Sequence, residues 1–102
     1  ITAWSNDDSF DNIFTRQLEG LSQSEDILIA LSTSGNSKNI INAAKYCNDN
    51  NIKIISLTGF DGGILKNLSD ININIATNST QRVQEMHILV GHILCDIVEH
   101  SF

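Results

Sequence analysis

Two short, predominantly apolar runs, residues 27–31 (ILIAL, continuous) and 52–57 (IKIISL, broken by Lys53 and Ser56), constrain the fold more than anything else in this chain. Each has strand length and is rich in β-branched residues, and neither shows the strict alternation of a sheet with one wet face. Strands apolar throughout belong in a parallel sheet covered on both sides. The segments around them carry the complementary pattern. Residues 9–21 place Phe10, Ile13, Phe14, Leu18 and Leu21 on one helical stripe, with Gly20 available to end it. Residues 37–50 do the same through Ile40, Ile41, Ala44 and Cys47, residues 64–68 suit a short helix, and residues 79–101 a long one. Ile1 to Trp4 could end a further strand. ININI at residues 71–75 alternates Ile with Asn, which predicts an edge strand with one wet face. The alternation predicts an α/β fold: a parallel sheet between two helical layers, in a single domain spanning residues 1–102.

Composition removes several function classes. With 102 residues the chain has room for one domain. A net charge of −6, with six scattered basic residues, argues against a nucleic-acid surface. No apolar run approaches the roughly 20 residues of a membrane span, and no secretory-type leader pattern is present. Cys47 and Cys95 lack metal-type spacing, so two reduced, buried thiols in a cytosolic protein are expected. The chain begins at Ile1 and its one methionine is Met86, so a piece of a longer protein is expected.

Chemistry concentrates where the first strand ends. STSGNS, residues 32–37, joins a buried parallel strand to a helix. Open α/β sheets bind ligands beyond the carboxyl ends of their strands. A helix amino end adds unpaired N–H groups and a partial positive charge suited to an anion. Four hydroxyls within six residues, with no lysine in the loop, describe a hydroxyl-and-amide cradle for a sugar phosphate rather than a Walker loop. The plainer reading is that Ser34 or Asn36 merely caps the helix.

On the last helix, at about 100° per residue, Gln81, Glu85, His92 and Asp96 share one stripe with Gln84 at its margin, opposite Val83, Met86, Val90, Leu94 and Ile97. Histidine is a natural acid near neutral pH, although a lone His92 is more often an ordinary hydrogen-bonded residue. His87 falls toward the apolar side as a core or subunit contact. His100 and Glu85 read as solvated, and Thr58-Gly59 with Asp61-Gly62-Gly63 as turn formers, Thr58 being a minor site candidate.

ALSTSGNSKNI (30–40), ISLTGFDGG (55–63) and RVQEMHILVGHILCDIVE (82–99), with SNDDSFDNIFTRQLEG (5–20), together resemble the sugar isomerase (SIS) domain and, within it, the phosphoheptose isomerases. The resemblance covers essentially the whole chain. It implies a parallel three-layer α/β sandwich, of which this chain is the C-terminal portion, lacking an N-terminal part that carries the expected base, a glutamate, and a Gly-rich loop. It implies conversion of sedoheptulose 7-phosphate to D-glycero-D-manno-heptose 7-phosphate through an enediol, for lipopolysaccharide or capsule heptose, in a cytoplasmic homotetramer. It assigns Ser32, Thr33, Ser34 and Ser37 to the phosphate, Asp7 to the sugar hydroxyls, and Gln84 and His92 to catalysis. In some members that last pair also holds Zn2+, with ligands from outside this segment. Gln81 departs from the aspartate that many relatives carry, and Arg82 fits the usual residue there. The alternative is a non-catalytic SIS protein that binds the replication initiator DnaA. Such proteins share STxGNS-like, LTGxDGG, QEMH and LCD stretches, and His92 is the residue that separates the two groups.

Overall fold

The computed structural model describes residues 10–23 and 25–101. A 3₁₀ turn, Phe10–Asn12, runs into helix α1, Ile13–Leu21. Strand β1, Ile27–Ser32, is followed by α2, Lys38–Asp49; β2, Lys53–Gly59, by α3, Gly63–Leu68; and β3, Ile71–Ile75, by α4, Thr80–Ser101. The sheet has the order β1-β2-β3 and all its pairings are parallel. The expected run of residues 1–4 as a strand, and Asp7, lie outside the described residues.

Side-chain alternation along β1 separates the two faces. Leu28 and Ala30 join a core with Leu18 of α1, Ala44 and Cys47 of α2, Ile54 of β2 and Leu65 of α3. Ile29 and Leu31 point the other way, toward α4. With Leu57, His87, Leu94 and Val98 they line an apolar groove of about 540 Å³. Helices therefore flank a parallel sheet on both sides, as the apolar runs require.

Local chemistry sets the element ends. Helix α1 continues through Gly20 instead of ending there. The stop is Ser22, whose backbone N–H and hydroxyl both donate to the Leu18 carbonyl, at 2.9 and 2.6 Å. Helix α2 closes with Asn51 in the left-handed region at φ 60°, which brings the Ile52 N–H back to the Cys47 carbonyl.

Three expectations need correcting. β3 is an edge of the described sheet, as expected, but its asparagine face is half-buried and engaged rather than simply solvated. Asn72 donates to the hydroxyls of Ser56 and Thr58, at 2.8 and 3.0 Å, Thr58 donates to Asn74 at 2.7 Å, and Ser69 donates to Ser56 at 2.6 Å. Ser56 and Thr58 are fully buried, so the asparagines act as their partners, and the alternation forms a half-buried polar ladder along the edge strand. On α4 the buried residues are Val83 and His87, whereas Met86 and Ile97 of the expected apolar stripe are exposed. The two cysteines also differ: Cys47 is buried, Cys95 exposed.

Two predictions follow from this packing. Asn72→Leu strips two buried hydroxyls of a partner and is expected to destabilise the protein by about 1–3 kcal/mol in denaturant unfolding, an effect Asn67→Leu on the exposed face of α3 does not share. In the native protein a thiol reagent labels Cys95 and spares Cys47. Burial also raises the Cys47 thiol above its ordinary 9.0, so the folded state holds its proton longer than the unfolded chain. That contribution is complete below about pH 9 and fades as pH rises through the folded value, a decline expected to disappear in Cys47→Ala.

Candidate functional site

Parallel register sets Ser32 beside Thr58, and Thr58 beside Asn74, so the three strands end side by side. The serine loop leaves this edge at once. Gly35, at φ +70°, turns the chain, and its N–H points back at both the carbonyl and the hydroxyl of Ser32, each at 3.1 Å. Ser32 is buried and its hydroxyl also bonds the Ser37 hydroxyl at 2.9 Å. The hydroxyl of Ser34 accepts from the Asn36 N–H at 3.1 Å. Thr33 and Ser34 are half-buried, and Ser37 is exposed.

The capping alternative fails on this geometry. The residue at the N-cap of α2 is Ser37, and no side chain there caps the helix. Ser37 turns its hydroxyl to Ser32 instead. The N–H groups of Lys38 and Asn39 have no acceptor among the described residues, while Ile40 takes the Asn39 side chain and Ile41 the Ser37 carbonyl. The loop therefore offers hydroxyls, two free N–H groups and the positive end of a 12-residue helix at one place. Lys38, the residue after the loop, is exposed, and its ammonium sits 3.8 Å from the Asp11 carboxylate. Neutral donors fixed in a small concave turn suit a phosphoryl group.

A second turn, Phe60 to Gly62, backs the first. Gly59 donates to the Thr33 carbonyl at 2.8 Å, Leu65 to the Gly35 carbonyl at 2.9 Å and Ile64 to the Asn36 side chain at 3.0 Å. Gly59 and Asp61-Gly62-Gly63 read in the sequence as turn formers, and residues 64–68 as a short helix; only the contact between two loops far apart in the chain exposes their second role.

A match to the SIS domain spans residues 12–90. The chain belongs to the SIS domain family. Among curated relatives, a phosphoheptose isomerase of Sulfurimonas denitrificans is 50% identical over 99 residues, covering 97% of this chain and 51% of its own length. One from Helicobacter pylori strain P12 is 48% identical over 102 residues, covering 100% of this chain and 53% of its own length. This SIS chain thus spans about half the length of the curated relatives it matches. Its structure superimposes on that of phosphoheptose isomerase GmhA from Neisseria gonorrhoeae with a TM-score of 0.91 at 40% identity, covering 95% of this chain and 55% of that one. A phosphoheptose isomerase structure from Francisella tularensis gives 0.93 at 39% identity, covering 98% and 54%. The DnaA-binding alternative receives no support from these comparisons.

Of the site residues expected from sequence, Ser32, Thr33, Ser34 and Ser37 lie together in the SIS loop. Asp7 lies outside the described residues. Gln84 and His92 are both exposed on α4 and make no side-chain hydrogen bond or ion pair among the described residues. They are eight residues apart, roughly 12 Å along the axis. Among the described residues no group of three or more His, Cys, Asp or Glu could hold a metal ion, so these two donors alone do not fit a zinc site. Gln81, Arg82, Glu85 and Asp96 are exposed as well.

His87 has the opposite fate. It is buried, and its Nε2 lies 2.8 Å from the Thr58 carbonyl. A carbonyl only accepts, so Nε2 carries the proton and ties α4 to the end of β2. His87→Leu, which removes this buried hydrogen bond, is expected to lower the unfolding free energy by about 0.5–1.5 kcal/mol. His92→Ala, at an exposed position, should stay within about 0.5 kcal/mol of wild type in the same denaturant titration.

Proposed function

We propose that the protein containing this chain is a phosphoheptose isomerase that interconverts sedoheptulose 7-phosphate and D-glycero-D-manno-heptose 7-phosphate. The observation that carries the reading is the serine loop: hydroxyls and free N–H groups gathered at the ends of parallel strands, in a chain about half identical to proteins of that name.

In this reading Ser32, Thr33, Ser34 and Ser37, with the N–H groups of Lys38 and Asn39, bind the 7-phosphate. Holding the remote phosphate fixes the C1–C2 end of the sugar and lowers the entropic cost of reaching the transition state. Asp7 meets the sugar hydroxyls. Moving a proton between C1 and C2 through an enediol needs a base and an acid. His92 serves as the acid, with Gln84 orienting the substrate oxygen, and the base comes from a glutamate outside this stretch. Zinc would draw Gln84 and His92 as two of its ligands and the rest from outside the described residues; no step here runs through it. The same reading makes the protein a cytoplasmic homotetramer that serves heptose synthesis for lipopolysaccharide or capsule.

The test is turnover of sedoheptulose 7-phosphate by the full-length protein, beside His92→Ala and Ser37→Ala. His92→Ala is expected to lower kcat by about 10²–10⁴-fold, the usual loss on removing a general acid or base. Ser37→Ala is expected to raise KM chiefly. Wild-type protein that binds the sugar phosphate without turning it over would sink the enzyme reading.

A further inference from the structure

The turn after β2 is built under strain and locked from several sides. Phe60 has φ 55°, an uncommon value for a bulky residue, and Gly62 and Gly63 stand at φ 87° and 56°. Asn74 donates to the Phe60 carbonyl at 3.0 Å, Gly62 to the Gly59 carbonyl at 2.9 Å, and Gly63 to the Asp61 carboxylate at 3.0 Å. The far side of this turn meets the serine loop without a gap. A Cβ on Gly35 would collide with the Gly62 carbonyl. One on Gly63 would lie 2.5 Å from the Ser34 carbonyl oxygen and 2.7 Å from Asn36 Oδ1. Across this seam Asn36 Oδ1 accepts from Ile64, and the Gly35 carbonyl accepts from Leu65. The second and third N–H groups of α3 are thus satisfied by the serine loop itself.

We propose that Asn36 and Gly63 are positioning residues for the phosphate site: their contact sets the shape of the serine loop before ligand arrives, and so sets its affinity for a phosphate monoester. The inference rests on the phosphate-binding reading of that loop. Neither residue needs to touch the ligand. Asn36 points its side chain at α3, and Gly63 presents only backbone. A cradle of neutral donors depends on its geometry more than a charged one does, because each hydrogen bond weakens steeply as its angle and length drift. Ordering the loop in advance also removes an entropic cost from binding.

The glycines supply their own comparison. The nearest atoms to a Cβ on Gly62 would be those of the Lys66 side chain, from 2.8 Å, and not the serine loop, yet Gly62 carries the same kind of left-handed strain. Inorganic phosphate binding by calorimetry, and KM and kcat for sedoheptulose 7-phosphate, would be measured on full-length wild type, Asn36→Ala, Gly63→Ala and Gly62→Ala. Unfolding midpoints would be taken alongside. Asn36→Ala and Gly63→Ala are expected to weaken phosphate and raise KM by at least about fivefold, with kcat changed much less. Gly62→Ala is expected to lose comparable stability to Gly63→Ala with a smaller loss of affinity. Equal affinity losses in the two glycine variants, or unchanged affinity in Asn36→Ala, would overturn the inference. Phosphate binding without turnover in wild type would remove the isomerase reading and leave this comparison decisive. Wild type that binds no phosphate would overturn both.

Discussion

Parallel pairing that sets Ser32 beside Thr58 is the constraint on which the working edge of this molecule depends. Parallel strands end together, so the loops leaving them are neighbours however far apart they lie in sequence. Thr58 is held on every side at that edge. Its hydroxyl joins Asn72 and Asn74, and its carbonyl takes His87 from the opposite layer. Next to it, Gly59 donates to Thr33 and leaves no room for a side chain between β2 and Val83. A buried polar residue with all its partners present is rigid because any displacement exposes an unmet hydrogen-bonding group to a low-dielectric interior. The rigidity of Thr58 passes to Gly59, then to the second turn, and from there to the serine loop.

The same register explains why β3 tolerates asparagine. A third strand that presented only aliphatic groups would strip the buried Thr58 hydroxyl of its side-chain partners and leave Ser56 with Ser69 alone. Asn72 and Asn74 each combine a donor and an acceptor, so they complete the hydroxyls and still reach the Phe60 carbonyl that holds the strained turn. The polar ladder thus serves both the sheet interior and the site.

Much of this could be read in the sequence because two periodicities separate cleanly. The apolar runs of β1 and β2 and the helical spacing of α2 predicted the layers, and a stop in the aliphatic run at Ser32 placed the candidate loop. What could not be read depended on partners. ININI has the same pattern whether its asparagines meet water or hydroxyls, and only Ser56 and Thr58 on the neighbouring strand decide. On α4, aliphatic residues occur on several sides, so periodicity could not select Val83 and His87 as the buried pair. The glycines of the second turn read as turn formers, since nothing local to that stretch reveals the Ser34 carbonyl and Asn36 side chain pressed against Gly63. The serine loop was legible as a cluster of residue types with unpaired N–H groups at a helix amino end, but the missing side-chain cap was not.

The arrangement also separates two demands of the proposed reaction. A phosphate handle is bound best by groups that do not move, and the loop that offers it is fastened from behind by backbone bonds and by glycines that admit no other neighbour. A proton-transfer group has to be reached by the reacting carbons and to exchange protons with its surroundings. His92, exposed and unattached on α4, meets that demand, while His87, five residues before it, is buried and tied to β2. One helix thus carries an anchoring histidine and a free one. The anchor fixes the helix to the same strand end that backs the serine loop, so in the proposed reaction Thr58 would help to set where the phosphate and the acid stand relative to each other.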